Sequence, residues 1–358
     1  MLKYVLRRLL QAVPTFFGIT LLAYLLMATT PGGPLGALVF GNPNLSPREQ
    51  EQLAIRLGLN DPAPIQYLRW LLGDDWMRWD SDGDGLSDGS FLIPLDANGD
   101  GEAEPPGDRR GILRGDFGTS FFNRRPVLDL LVERLPATLE LSVTSLIVGT
   151  IIGVGVGVLA AINRGGVFDN VSRIVAVIFN AVPGFWLGLI LLLLFAVTLD
   201  IFPLGDRCRT TLDDSCPPLH QRLEYVVLPV FILATGPIAG FSRFMRASML
   251  EVVSQDFIRT ARAKGLSTRT VWFKHGMRNA LIPIATFLGP ALTGLLGGAV
   301  VTETVFNYPG VGRTVVQAFV QRDYPVVMAV TIYAAVATIL GYLLSDILYA
   351  IIDPRIRY

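Results

Sequence analysis

Six apolar stretches, each close to the length a helix needs to cross a bilayer, constrain this chain more than any other feature. They run roughly from Leu9 to Met27, Leu139 to Ile162, Ile174 to Leu199, Val226 to Met245, Leu281 to Val301 and Val326 to Ile352. A hydrocarbon core of about 30 Å takes roughly 20 residues of helix. No water is available there for backbone N–H and C=O groups, so each stretch must be a helix that bonds to itself. The fourth is the weakest, because Pro229, Gly236 and Pro237 interrupt it. Charge usage agrees: 17% of the 358 residues are charged, against about 25% in soluble domains. The expected fold class is all-α integral membrane, with six transmembrane helices.

Basic residues orient the spans. Lys3, Arg7 and Arg8 precede the first, and Arg164 and Arg173 lie between the second and third. Arg243 to Arg278, with Arg259, Arg262, Lys264, Arg269 and Lys274, lies between the fourth and fifth, and Arg355 and Arg357 follow the sixth. With six spans all four regions fall on one side, the cytoplasm, and one missed helix would split them. The expectation is a multi-pass protein of the cell (inner or plasma) membrane with cytoplasmic N- and C-termini. The first apolar run is too long for a signal core and lacks a small-residue cleavage site, so no cleaved signal peptide is expected.

Small residues recur at helical spacing: Gly149, Gly153 and Gly157; Gly236 and Gly240; Gly294 and Gly298. Such steps let helix backbones approach closely in lipid. Pro183-Gly184, Pro237, Pro283 and Pro290 should kink their helices or form hinges. No Lys, Arg, Asp or Glu sits at the centre of spans two, three, five or six. Ion-coupled carriers usually place such groups near the midplane, so energy is expected to enter elsewhere. The chain has no Gly-x-x-x-x-Gly-Lys-Ser/Thr phosphate loop, so ATP would be bound by a partner. No nucleophile or acid–base pair stands out, no catalytic residue is assigned, and an enzyme is not expected. No nucleic-acid partner is expected, whereas membrane lipid is.

The segment Asp256-Phe-Ile-Arg-Thr-Ala-Arg-Ala-Lys-Gly265, continuing to Lys274-His-Gly-Met-Arg-Asn-Ala-Leu-Ile-Pro283, is a polar, basic piece between two apolar spans. It reads as two short helices broken at Gly265, which suits the left-handed position that ends a helix. Ser267 can cap the next helix. Ile258, Ala261, Ala263 and Leu266 can form a small apolar contact face, ringed by Arg259, Arg262 and Lys264. A bare patch attracted to anionic lipid would need neither the glycine break nor those apolar positions.

This loop resembles the EAA motif of ABC-importer permeases, in the form used by the dipeptide, oligopeptide and nickel permease family. Leu6-Arg-Arg-Leu-Leu-Gln-Ala-Val-Pro14, Leu113-Arg-Gly-Asp-Phe-Gly-Thr-Ser120 and Leu135-Pro-Ala-Thr-Leu-Glu140 resemble that family too. So do Thr302-Glu-Thr-Val-Phe-Asn-Tyr-Pro-Gly310 and Asp353-Pro-Arg-Ile-Arg-Tyr358. The chain departs from the pattern at the EAA glutamate, where it reads Arg259-Thr-Ala-Arg-Ala, and at Gly33, where an acidic residue is common in the family. The resemblance implies a type I ABC importer permease fold. It implies an ATPase-coupling loop containing Arg259, Ala261, Ala263, Lys264, Gly265, His275, Arg278 and Asn279. It implies as partners a second homologous permease subunit, two ATP-binding cassette subunits that bind ATP, and an extracytoplasmic substrate-binding protein. Residues 1–30 would form the N-terminal transmembrane helix, 31–135 an extracytoplasmic region, and 136–358 a five-helix permease core with the coupling loop at about 248–278.

The region between spans one and two holds an apparent insertion, about 74–110, that interrupts family-like sequence. Asp80-Ser-Asp-Gly-Asp-Gly-Leu-Ser-Asp88 places Asp80, Asp82, Asp84 and Asp88 around a tight turn. Asp96-Ala-Asn-Gly-Asp-Gly-Glu-Ala-Glu104 repeats this with Asp96, Asn98, Asp100 and Glu104. A hard cation takes six to eight converging oxygens, which alternate carboxylates on a turn supply, so Ca²⁺ is the expected ion. Phe91 and Gly107 stand where a full EF-hand loop has its last acid, so the pair resembles shorter thrombospondin-type or dockerin-like loops. Cys208 and Cys216 lie on the same outer side, where an oxidising compartment favours a disulfide, and only one pairing exists.

The family resemblance implies peptide import, with nickel or a nickel chelate as the alternative cargo. Only His220 and His275 are present, both outside the spans, which disfavours imidazole coordination of a metal in the pathway. A calcium-responsive membrane anchor or sensor is the alternative from another class. It would need neither six spans nor the loop.

Overall fold

The structure, a computed structural model, describes residues 2–29, 46–50, 54, 61–74, 110–209 and 216–352. Among these the chain is helical, apart from turns and one isolated bridge between Thr119 and Pro126. Helix α1 spans Leu2–Ala28, α2 Ala63–Leu72 and α3 Val127–Ile162. Helix α4 covers Val167–Ala181, and α5 covers Gly184–Leu191 and widens into a π-helix over Leu192–Thr198. Helix α6 is Leu223–Val253, α7 Asp256–Ala263 and α8 Thr268–Ala280. Helix α9 is Ile282–Val305, α10 Val311–Val320 and α11 Tyr324–Ile352.

Four helices are long and apolar enough to cross a membrane: α1, α3, α6 and α11. The pairs α4–α5 and α8–α9 pass the same test together although bent by 99° and 50°, and the count reaches six if each bent pair is one span. The first break falls at the expected Pro183-Gly184 hinge, where Val182 is extended and Pro183 cannot donate the next helical hydrogen bond. The second falls at Leu281, so Pro283 occupies the first turn of α9, where a missing N–H costs nothing.

The fourth span, weakest in sequence, is one continuous helix with Pro229 and Pro237 inside it, and it contributes more buried apolar residues than any other described helix. Neighbouring helices make such prolines tolerable in lipid. Three glycines of α3 lie flat against α6. A β-carbon on Gly149 would sit 2.6 Å from Pro237 Cβ, on Gly153 2.9 Å from Phe241 Cβ, and on Gly157 2.6 Å from the Ser242 carbonyl oxygen. These are helix-packing glycines. Gly236, Gly240 and Gly294 are not: a β-carbon on any of them meets nothing within 4 Å. Equal spacing conceals the difference, because one set faces a neighbour and the other faces open space.

The chain divides into two compact units. One gathers Met1–Ala12, Arg134–Thr314 and Ala334–Tyr358, the other Val13–Glu133 and Val315–Tyr333. The first unit's core joins Val158 and Ala161 of α3, Met245 and Met249 of α6, Ile258 of α7 and Val271 of α8. In the second unit Arg69 of α2 is sandwiched between Asp61 and Asp74. Gly111, at φ +74°, abuts the backbone of Leu72 and Gly73, and Arg114 donates to the Leu72 carbonyl. The chain therefore returns at Gly111 to the place where it left α2. The acidic repeats, Asp80 to Asp88 and Asp96 to Glu104, lie outside the described residues.

Candidate functional site

The loop between α6 and α9 folds as two helices around a glycine. The C-terminus of α7 is a Schellman turn: Gly265 N–H donates to the Arg262 carbonyl at 2.9 Å and Leu266 N–H to the Ala261 carbonyl at 3.4 Å. Gly265 has φ +74°, which an L-residue adopts only with strain. Ser267 Oγ accepts from Thr270 N–H at 3.3 Å and caps α8.

The apolar contact face expected here divides in two. Ile258 is fully buried and Ala261 nearly so, both packed into the core with Met249 and Val252. Their helical spacing serves the chain's own interior, so they offer no surface to a partner. Phe257, Arg259, Arg262, Ala263, Lys264 and Leu266 remain exposed. They make a basic, part-apolar knob around the Gly265 turn. Arg278 and Asn279 are also exposed, on α8, where Asn279 donates to the His275 carbonyl at 2.9 Å. His275 is half-buried.

The glycines that face open space line a cavity of about 690 Å³. Gly236 and Gly240 of α6 and Gly294 of α9 form one side, with Phe185 at the start of α5 and the stacked rings of Phe244 and Phe287, centroids 4.4 Å apart. None of the described residues that line it is charged.

Three carboxylates, Glu303 and Asp323 buried and Glu140 largely so, hold the motifs together, and sequence reasoning assigned none of them. Glu140 of α3 accepts from Arg207 at 2.8 Å, from both terminal nitrogens of Arg222 at 2.6 Å, and from the Tyr308 hydroxyl at 2.6 Å. Burial, then the neighbouring Glu140 carboxylate, pushes the Tyr308 phenol above its ordinary range, so it stays a donor. Arg222 also donates to the carbonyls of Pro217 and Arg207. Those carbonyls flank a disulfide between Cys208 and Cys216. Glu303 at the end of α9 accepts from Thr138 Oγ1 at 2.6 Å and from the Arg313 N–H at 2.9 Å, and so caps α10. Gly310 is required because Glu303 fills the place of its β-carbon. In the second unit Asp323 accepts from Ser120 Oγ and from the N–H groups of Phe121 and Phe122. Thus Leu135–Glu140 meets Thr302–Gly310, and Leu113–Ser120 ends on Asp323. The available signal was a carboxylate at the edge of an apolar span, which needs a partner.

A helical core of apolar spans around an uncharged cavity, with a helix–glycine–helix knob on the loop between two spans, is an arrangement that fits a membrane permease subunit. Residues 153–358 match the family described as binding-protein-dependent transport system inner membrane component, and residues 1–78 match its N-terminal companion. The chain is 38% identical to the oligopeptide transport system permease protein AppB of Bacillus subtilis, over 100% of both chains. It is 36% identical to the dipeptide transport system permease protein DppB of Escherichia coli K12, over 100% of this chain and 99% of that one. Among solved structures, a chain of the MetNI methionine ABC transporter in inward facing conformations is similar at TM-score 0.49 and 22% identity, covering 64% of this chain and 97% of that one. The chain belongs to the binding-protein-dependent transport system inner membrane component family.

Proposed function

We infer that this chain is one permease subunit of an ATP-driven importer of di- or oligopeptides and forms half of the translocation pathway. The observation that carries this is end-to-end similarity to two permeases named for peptide transport. The 690 Å³ uncharged cavity supports it, being roomy enough for a short peptide and free of groups that would bind one charge tightly. The partners are a second, homologous permease subunit, two ATP-binding cassette subunits and an extracytoplasmic binding protein. The termini and the Gly265 knob face the cytoplasm, where the ATPase subunits dock. ATP closing that dimer would displace the knob and switch the side to which the cavity opens.

The test is uptake of radiolabelled dialanine and pentaalanine into proteoliposomes holding the purified complex and its binding protein. Uptake should require ATP and persist when ionophores collapse the membrane potential. Uptake that follows the potential, or no uptake of either peptide, overturns the assignment.

The outer segment at about 74–110 is an insertion that binds Ca²⁺ through Asp80, Asp82, Asp84 and Asp88 and through Asp96, Asn98, Asp100 and Glu104. The alternation of carboxylates supports this, as does the chain's return to Gly73 at Gly111. Isothermal titration of the whole chain in detergent should show heat with millimolar Ca²⁺, the affinity range of extracellular modules. A silent titration rejects the site.

A further inference from the structure

One ion pair joins the helix that carries the loop to the helix that leads into the cavity wall. Arg246 lies on α6, beside the fully buried Met245. Its Nε donates to Asp169 Oδ1 at 2.6 Å and its Nη2 to Asp169 Oδ2 at 2.7 Å, a two-point fork. Asp169, on the first turn of α4, is 1% exposed, and Gly165 N–H fixes it from the other side at 2.9 Å. Arg173, one turn further along α4, adds its field to the same carboxylate.

On the loop side of this pair, Ile258 of α7 and Val271 of α8 pack into one core with Met245, Met249 and Val252 of α6. Gly276 sits where an added β-carbon would be 3.4 Å from Met249 Cε. Packing this close leaves the loop little freedom to move without carrying the last turns of α6. On the cavity side, α4 runs to the Pro183 elbow, bent by 99°, and the chain beyond it puts Gly184 and Phe185 into the cavity wall. Elsewhere α4 and α6 also meet through aromatic rings, as in the edge-to-face pair Phe179–Phe231. To that packing the bidentate ion pair adds a directional link that sets the register of α4 on α6.

Resting on the permease assignment above, we propose that Asp169 and Arg246 are positioning residues for transport. Their pair makes α4 follow α6, so that displacement of the α7–α8 loop re-aims the Pro183 elbow and the Phe185 wall of the cavity. Neither residue touches ATP or peptide. Breaking the pair should therefore separate hydrolysis from movement of cargo.

The experiment compares wild type, Asp169→Asn, Arg246→Met and the double variant in the proteoliposome complex, reading ATP hydrolysis and dialanine uptake together. Each single variant should keep ATP hydrolysis while uptake per ATP falls about tenfold, within the range of coupling between distant sites. The double variant should be no worse than either single, because the two residues act as one unit. Asp169→Glu covers neutral variants that fail to assemble. It keeps the charge, lengthens the arm by one methylene, and should assemble with a lowered ratio. An unchanged ratio in any assembled variant overturns the proposal. So do single effects that multiply in the double variant, and hydrolysis and uptake that fall in step with complex yield. Wild type that hydrolyses ATP but imports no peptide overturns the import assignment instead, and the positioning role falls with it.

Discussion

Gly265→Asp should leave this chain folded in the membrane and strip it of its ATPase subunits. Gly265 is at φ +74° with nothing within 4 Å of where a β-carbon would stand. The substitution therefore brings no clash, only the left-handed backbone strain, about 1 kcal/mol. Asp is among the side chains that accept that conformation best. What changes is the surface. A carboxylate enters the centre of a basic knob formed by Arg259, Arg262 and Lys264 and lies where a partner would have to close over it. It would engage the basic groups that a partner's acidic side chains would otherwise meet, and like charges juxtaposed across an interface cost several kcal/mol, where about 4 kcal/mol suffices to weaken a complex by a factor of about a thousand. Co-purification from detergent-solubilised membranes, wild type beside variant, reads this directly. ATPase subunits should come down with wild type and be absent from Gly265→Asp, with equal recovery of the permease itself. Gly265→Ala carries the strain without the charge and should retain most of the ATPase. Equal capture by all three would remove the knob from the docking surface, and capture by none would sink the importer assignment.

Much of the fold was legible because lipid simplifies folding. A span must be apolar and self-bonded, so length and composition locate α1, α3, α6 and α11 directly. The Pro183 and Gly265 breaks were legible for a related reason: each residue has one backbone property that few contexts tolerate. Other features turned on which way a residue faces. Gly157 and Gly240 each stand four residues after another glycine, yet one abuts the Ser242 backbone and the other faces the cavity. Ile258 and Leu266 both looked like docking residues, but helical phase sends the first into the core. The carboxylate hubs were hidden more deeply. Glu140 pairs with Arg207, Arg222 and Tyr308, the last at a separation of 168 residues, and nothing local in the chain announces such a partner. The quoted motifs did mark these places, since Leu135–Glu140 and Thr302–Gly310 are the two halves of one contact.

That contact makes the second large expectation. Glu140→Ala should destabilise the folded chain by about 3–5 kcal/mol, the range for removing one partner of a buried ion pair. Arg222 is 6% exposed at its side chain and would keep its charge with only carbonyl oxygens to face, and the Tyr308 hydroxyl would lose its acceptor. Two guanidiniums that now share one carboxylate would repel each other. The remedy follows from the same physics. Arg222→Met removes the buried charge that Glu140→Ala strands, so the double variant should recover part of the loss, while the partly exposed Arg207 turns to water. Thermal unfolding of the detergent-solubilised protein, followed by loss of the monodisperse peak on gel filtration, measures all three. The expected order of stability is wild type, then the double variant, then Glu140→Ala. If Glu140→Ala melts with wild type, the hub adds nothing to stability, and the pairing of Leu135–Glu140 with Thr302–Gly310 needs another explanation. If the double variant melts below Glu140→Ala, Arg222 is held mainly by the Pro217 and Arg207 carbonyls. The disulfide loop, rather than the carboxylate, would then be the anchor of this end of the core.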